Sequence, residues 1–274
     1  MGRTGRFAVV ILAGLGSVVA SESREPEPVA GQLRSLSKRH GIGVEAATGP
    51  GLIPSPKAGP PGPVLTWSAA GEEEYRAYAP IFAGALDKYP PGLIRASGLR
   101  KVVWCADLAG PGVARRTSGV YSPDEGTIYL DVRVGKTTAG GRRYAVHHEI
   151  FHAIDHRRDR TFGDAAWEAI NGPRAYFARR HPEPDAPGPA LPIVEPPDLG
   201  VLETRAGFMT TYARSEVRED KAELFACMMA LPLFVESRMA DDTRLAAKVR
   251  RIEALLQAQC PGLPADFWAS PIRR

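Results

Sequence analysis

The sequence predicts an α+β fold that is mostly helical and contains a small, mainly antiparallel sheet. Apolar side chains recur at helical spacing in three segments, 72–89, 144–156 and 233–259. Strand-like segments are short and lie between residues 101 and 133. We expect residues 64–274 to form one domain, because about 210 residues can enclose a sizeable core.

The residues before this domain are predicted to be a signal peptide and a tail. Residues 1–20 combine a basic start, an apolar run from Phe7 to Val19 and small residues before Ser21, as is typical of a secretory signal. The apolar run is shorter than the ~20 residues of a membrane-spanning helix. We therefore expect a secreted, periplasmic or cell-envelope protein without stable membrane insertion, with an uncleaved anchor as the alternative. Residues 21–63 are rich in Pro and Gly and are predicted to be a tail or linker, or else a removable pro-segment.

The first half of the predicted domain contains one helix and the strands. Glu72 to Tyr89 is predicted to be a helix that Pro80 kinks or divides, because proline removes a backbone hydrogen bond. Lys101 to Ala106 is predicted to be a buried strand. Ser118 to Arg133 is predicted to be a hairpin, with a turn at 122–126 and a second strand that alternates between its two faces.

The segment from Tyr144 to His156 carries the clearest chemical signal. His148, Glu149 and His152 form the pattern H-E-x-x-H, and a helix places the two histidines one turn apart on one face. Two neutral imidazoles at this spacing can bind one Zn²⁺ at about 2.0 to 2.1 Å, while the glutamate takes a proton from zinc-bound water. The alternative is a helix that merely carries histidines, but the chain has only 6 of them in 274 residues. The motif therefore predicts a zinc site with Glu149 as general base.

Three neighbours of the motif are weaker candidates. His156 lies two turns from His148, about 12 Å along the helix axis, which is too far for the same metal ion. His147 points about 100° away from His148 and is expected to be packed or solvent-facing. Asp155 could orient the site, although an exposed acid of the helix is the simpler interpretation.

A third metal ligand must come from elsewhere, because catalytic zinc takes three protein ligands. Glu219 and Glu223 lie four residues apart on a predicted helix with an apolar packing surface. One glutamate could bind zinc, and the other could accept the free N–H of a ligating histidine and fix its orientation. An ordinary solvated acidic face is the alternative.

The chain after the histidine helix is predicted to contain further helices and one long loop. Ala165 to Arg180 forms a helix interrupted at Asn171-Gly-Pro173, and seven prolines make 181–200 a loop. Pro232 ends the helix of Glu219, and Leu233 to Gln259 forms one amphipathic helix or a pair. The basic residues of this last segment are expected on its solvent face; they are Lys248, Arg250 and Arg251.

Net charge and cysteine content exclude some classes of function. The net charge is +4 and the pI is about 9.0, but Arg and Lys are dispersed among carboxylates, so we expect no nucleic-acid binding. Cys105, Cys227 and Cys260 match no zinc or redox motif. Cys227 and Cys260 could form a disulfide in an oxidising compartment, or the thiols could simply be buried.

The motifs together resemble a known family. H-E-x-x-H followed by Tyr212-Ala-x-Ser and by Glu219-Asp-x-Ala-Glu-x-Phe-Ala is similar to the lethal-factor-like metallopeptidases. That family includes the catalytic domain of anthrax toxin lethal factor and the secreted Pro-Pro endopeptidases. The resemblance covers residues 118–229 and implies a zincin-like domain in which Glu219 is the third zinc ligand and Glu223 follows it. It departs at Lys221, where the family commonly has an aromatic or other apolar residue.

The resemblance also implies a reaction and a place for the substrate. It implies a secreted zinc endopeptidase that acts on a protein or peptide, with Tyr212 donating a hydrogen bond to the tetrahedral oxyanion. An edge strand above the zinc helix would bind the substrate backbone, so we look for substrate at Val120 to Arg133, although a plain structural hairpin is equally compatible. Two alternatives are a zinc-binding envelope or interaction protein with little turnover and a protease effector delivered to other cells by a separate partner.

Overall fold

The protein combines α-helices with one six-stranded sheet, which confirms the predicted α+β class. The structure is a computed structural model, and it describes residues 28–54, 64–110, 117–133, 139–172, 175–176, 206–264 and 267–268. No helix in these ranges is long and apolar enough to cross a membrane. The predicted signal peptide and the predicted loop at 181–200 lie outside the described residues.

Eight α-helices and six strands follow one another in the described ranges. The helices are α1 (Val29–His40), α2 (Glu72–Leu86), α3 (Pro91–Ala96), α4 (Ala139–Arg158), α5 (Ala165–Asn171), α6 (Val217–Ala230), α7 (Pro232–Met239) and α8 (Thr243–Gln259). The strands are β1 (Gly43–Ala46), β2 (Gly51–Ile53), β3 (Leu65–Ser68), β4 (Lys101–Ala109), β5 (Gly119–Ser122) and β6 (Thr127–Asp131). A short 3-10 helix (Tyr212–Arg214) precedes α6.

The sheet is mixed, and three of its five strand pairs are antiparallel, as a mainly antiparallel sheet requires. The strand order is β2-β3-β4-β6-β5, and β1 also pairs with β4. β4 pairs in parallel with β1 and with β6, whereas the pairs β2–β3, β3–β4 and β5–β6 are antiparallel. The parallel pair β4–β6 arises because the hairpin brings β6, rather than β5, next to β4. This arrangement leaves β5 at the end of the sheet.

Residues 29–53 belong to the fold, so the prediction of a tail from 21 to 63 is wrong for this part. Helix α1 buries Val29, Leu33 and Leu36 in the main core. Strand β1 extends the sheet through four residue pairs with β4. The helix was missed because its short apolar pattern lies between segments rich in Pro and Gly. Residues 21–27 and 55–63 lie outside the described residues.

Helix α2 forms where it was predicted, but Pro80 does not divide it. The helix is continuous from Glu72 to Leu86, and Pro80 lies on its exposed face. Water can therefore reach the carbonyl that loses its hydrogen-bond donor at this proline. On the buried face, the rings of Tyr78 and Phe82 pack edge-on against Trp104 of β4, with centroids 5.3 and 5.2 Å away.

The hairpin β5–β6 is confirmed, but its second strand does not alternate between buried and exposed residues. All five residues of β6 are buried. Ile128 and Leu130 belong to the main core, and Tyr129 belongs to a second apolar cluster with Val103 and Cys105. Both faces of this strand are covered, because Ile53 of β2 belongs to the second cluster.

Helices α4 and α6 bring the two predicted motifs together. The rings of Phe151 and Phe225 lie 4.8 Å apart between them. The Tyr144 hydroxyl of α4 donates a hydrogen bond to the Glu223 carbonyl of α6 at 3.2 Å. Helix α6 ends at Ala230, just before Pro232, as predicted.

The C-terminal segment forms two helices, α7 and α8; one helix or a pair was predicted here. Helix α8 buries Leu245, Val249, Ile252 and Leu256. Lys248 is fully buried, so its predicted place on the solvent face is wrong. Its charge is compensated because its Nζ lies 2.6 Å from an Asp220 carboxylate oxygen.

The end of α5 agrees with its prediction, whereas the cysteines form no disulfide. Helix α5 ends at Asn171, where the interruption was expected, and Gly172 follows with a φ of +79°. The three cysteines are free thiols, so Cys227 and Cys260 form no disulfide. Cys105 and Cys227 are buried and act as small apolar side chains.

Candidate metal centre

His148, His152 and Glu219 converge at the contact between α4 and α6. The Nε2 atoms of the two histidines are 3.0 Å apart. Oε2 of Glu219 lies 3.2 Å from Nε2 of His148 and 3.3 Å from Nε2 of His152. All three side chains are buried. The structure therefore brings together the three residues that were predicted to hold a metal.

These three atoms have the spacing that one metal ion requires. In a tetrahedral site with bonds of about 2.0 to 2.1 Å, the ligand atoms are about 3.3 Å from one another. The observed separations of 3.0, 3.2 and 3.3 Å match this spacing. His148, His152 and Glu219 thus could hold a metal ion and leave a fourth position for another group.

Glu223 orients His148 from the side opposite the candidate metal position. Its Oε1 lies 3.0 Å from Nδ1 of His148, and its Oε2 accepts a hydrogen bond from the Thr210 hydroxyl at 2.5 Å. A histidine that donates from Nδ1 presents the lone pair of Nε2 to a metal. The structure thus places Glu223 where an outer partner of His148 was predicted. Sequence reasoning missed Thr210, because no local pattern marks it.

The site has an electrostatic preference for positive charge. Burial by itself would lower the pKa of His148, but hydrogen bonds to Glu219 and Glu223 raise this pKa well above its ordinary value. Burial would raise the pKa of Glu219, yet the charge of His152 and the hydrogen bonds of both histidines lower it well below its ordinary value. A proton or a metal cation is therefore favoured between these residues, and the two compete for the same nitrogens.

Glu149 lies beside the candidate metal ligands without belonging to them. It is 6% exposed, and its side chain lies against Gly119 of β5. Burial raises the pKa of Glu149, and the positive charges of His148 and His152 oppose this rise only in part. A buried carboxylate with a raised pKa can accept a proton.

Tyr212 approaches the site from the 3-10 helix that precedes α6. Its ring centroid lies 6.3 Å from that of His148, and its side chain is half-buried. Burial raises the pKa of Tyr212 well above its ordinary value, and the charge of Glu219 adds to this effect. The phenol therefore stays protonated and can donate a hydrogen bond.

His147 and His156 lie outside the metal-binding group, as predicted. His147 is fully buried, and its Nδ1 is 2.6 Å from the Tyr89 hydroxyl. His156 is half-buried and contacts Tyr121 and Phe162 through its ring. Phe162 was not singled out by sequence reasoning, although its ring also meets His152 edge-on at 6.1 Å.

Asp155 is buried, so its interpretation as an exposed helix acid is wrong. It forms an ion pair with the fully buried Lys221 of α6 and a second one with Arg158 at 2.9 Å. Lys221 also donates to the carbonyl of Phe162 at 2.9 Å. The residue at which this chain departs from the resembled family is therefore paired with an acid of the H-E-x-x-H helix. Asp155 ties α4 to α6 and does not bond to the metal-binding side chains.

Comparison with known proteins identifies no relative of this chain. No family model matches it, and neither a curated protein nor a solved structure is significantly similar. The resemblance to lethal-factor-like metallopeptidases therefore stays a prediction from the motif residues.

Proposed function

We propose that this protein is a zinc-dependent endopeptidase with a zincin-like domain, of the lethal-factor-like type. The observation that carries the proposal is the convergence of His148, His152 and Glu219, with Glu149 beside them. Two imidazoles and one carboxylate are a ligand set of catalytic zinc sites, and zinc suits it better than magnesium or calcium, which prefer oxygen ligands. Bound zinc supplies Lewis-acid chemistry that activates water and polarises a carbonyl group.

The remaining residues supply proton transfer and hydrogen bonding. Glu149 accepts the proton of the attacking water and passes it to the nitrogen of the leaving amine. The Tyr212 hydroxyl donates a hydrogen bond to the oxyanion that forms at the scissile carbonyl. Glu223 holds His148 in the orientation that binds the metal. Burial keeps the Tyr212 phenol protonated, and the raised pKa of Glu149 makes its carboxylate a stronger proton acceptor.

The substrate is a protein or peptide that lies along β5. This strand is at the end of the sheet and next to Glu149, so an extended chain could add to its outer side. The sequence favours a secreted, periplasmic or cell-envelope location, because residues 1–20 have the pattern of a signal peptide. Nucleic-acid binding and stable membrane insertion are not part of the proposal.

A Glu149→Ala variant tests the proposal. The purified chain and the variant are incubated with a peptide library, and cleavage is followed by mass spectrometry together with zinc content. We expect wild-type cleavage, a loss of about 10²- to 10⁴-fold in the variant and unchanged zinc content. Glu168→Ala, which changes an exposed glutamate of α5, is the matched control and retains activity.

The same experiment separates the alternatives. A wild-type chain that retains zinc but cleaves nothing would contradict the peptidase proposal and favour a zinc-binding protein. Cleavage that survives in Glu149→Ala would mean that another group accepts the proton.

A further inference from the structure

Strand β5 runs beside Glu149. It contains a glycine, Gly119, whose backbone conformation does not require glycine. Gly119 is paired with Leu130 of β6 and is not among the glycines with a positive φ. Any residue could adopt its backbone conformation. Glycine inside a strand weakens the strand and often marks a place where another group approaches closely.

The approaching group is the side chain of Glu149. A Cβ atom at position 119 would lie 2.7 Å from Cγ of Glu149 and 3.1 Å from its Oε1. It would also lie 3.1 Å from Cδ2 of Leu130. Any side chain at this position would therefore force the carboxylate of Glu149 to turn away or the strand to move.

We propose that β5 positions the general base through the missing side chain of Gly119, which lets the Glu149 carboxylate lie against the strand. The inference rests on the proposed function, in which Glu149 accepts the proton. Gly119 acts here through Glu149, so it is a positioning residue. The required accuracy is high, because a misplacement of about 1 Å can lower a rate about 10²-fold.

A Gly119→Ala variant tests the role in catalysis. We expect kcat to fall about 10²-fold, with KM changed by no more than about twofold and zinc content equal to that of the wild type. The matched control is Gly84→Ala on the exposed side of α2, where an added Cβ meets nothing within 4 Å. This control keeps its activity. A Gly119→Ala enzyme with kcat within about twofold of the wild type would overturn the proposal.

A second measurement tests the contact without using activity. The Tm of the metal-free chain is measured for Gly119→Ala in the wild-type background and in the Glu149→Ala background. We expect a clear fall in the first background and a much smaller fall in the second, because the side chain that clashes is then absent. Leu130 accounts for the remainder.

The outcomes distinguish this inference from the proposed function. Equal Tm shifts in the two backgrounds would overturn the contact between Gly119 and Glu149, even in an active peptidase. A wild-type chain that cleaves no peptide would overturn the proposed function and the positioning role with it, even where the Tm shifts are coupled.

Discussion

Helix α6 contributes buried charge to two regions, which balance that charge in different ways. In the first region, Asp220 bonds to Lys248 and Lys221 bonds to Asp155. Asp220 also accepts hydrogen bonds from the Trp167 indole at 2.7 Å and from other polar side chains. Each buried charge in this region therefore has an opposite charge within the protein itself.

In the second region, Glu219 and Glu223 face the histidines of α4, and Glu149 lies next to them. Among the described residues, Arg218 is the permanently charged side chain that pairs with one of these carboxylates. Its Nε lies 3.2 Å from Oε1 of Glu219. The other oxygen of Glu219, Oε2, contacts the imidazoles of His148 and His152, which carry no fixed charge.

The two regions therefore differ in what their buried charges do. The charges of the first region stabilise the fold, and those of the second region can bind a cation. A buried ion pair that is complete within the protein links helices and needs nothing more. A buried group of carboxylates and imidazoles with an excess of negative charge is stabilised by a bound cation. The first region therefore fixes α6 against α4 and α8, and this fixed position aligns the second region for a metal.

The largest expected effect on stability comes from breaking an ion pair in the balanced region. Lys221→Met leaves Asp155 with the partly exposed Arg158 as its counter-charge, so the free energy of unfolding should fall by up to about 3 kcal/mol, the lower end of the loss for a broken buried ion pair. The double variant Asp155→Leu/Lys221→Met should recover most of this loss, because both charges are removed. Chemical denaturation measures both values.

The exposed pair of Arg39 and Asp87 provides the control for that experiment. Their side chains are 52% and 40% exposed, so Arg39→Ala should change stability by no more than about 1 kcal/mol. A loss in Lys221→Met as small as that in Arg39→Ala would contradict the structural role of the balanced region.

A change at Tyr212 should affect catalysis and leave the fold intact. Tyr212→Phe removes one hydroxyl at the rim of the metal site, which should weaken transition-state stabilisation by about 2.7 to 4 kcal/mol. The expected readout is kcat, with zinc content and Tm equal to those of the wild type. Tyr129→Phe is the control, because its hydroxyl bonds to Glu125 at 2.9 Å, away from the metal ligands. A full kcat in Tyr212→Phe would remove this residue from the mechanism.

A change at Glu223 should weaken the metal site without the stability loss of Lys221→Met. Glu223→Gln keeps the shape of the side chain but removes the charge that orients His148, so metal affinity should fall about 10- to 100-fold. Competition with a zinc chelator measures this affinity. Unchanged affinity would show that the bond between Glu223 and His148 does not support metal binding.

The smallest expected effect is a dependence of stability on pH at Asp164. Burial opposes ionisation, but hydrogen bonds from Arg251 and the Trp167 amide hold the pKa of Asp164 below its ordinary value. The stabilisation is therefore complete above the unfolded pKa of about 3.9 and is lost as pH falls through the lower folded pKa. Asp164→Asn should be less stable by about 1 kcal/mol at pH 7. This difference should vanish in acid, and Tm measured from pH 7 downwards would show whether it does.

The sequence predicted the metal-binding residues better than it predicted their surroundings. His148, Glu149 and His152 are marked by local spacing, because one helix turn decides whether two ligands meet. Glu219 could be predicted as the third ligand only from the second motif and from its resemblance to the metallopeptidase family. Asp155 was wrongly predicted to be exposed, because an acid of α4 and a base of α6 become buried only when the helices pack together.

The fold itself was predicted where local patterns decide the structure. Helix α2, the hairpin and the end of α6 follow from periodicity, turn residues and Pro232. The place of β1 depends on pairing with β4, which is more than fifty residues away in sequence. Such distant pairing leaves no local signal, so the mixed sheet could not be predicted.

The measurement that tests the central claim most directly is the metal content of the purified chain beside a Glu219→Ala variant. We predict about one zinc ion per wild-type chain and markedly weaker retention in the variant, because three ligands hold catalytic zinc. Glu73→Ala, at an exposed position of α2, should retain zinc as the wild type does. A wild type that holds no zinc after reconstitution, or a Glu219→Ala variant that holds as much as the wild type, would contradict the account.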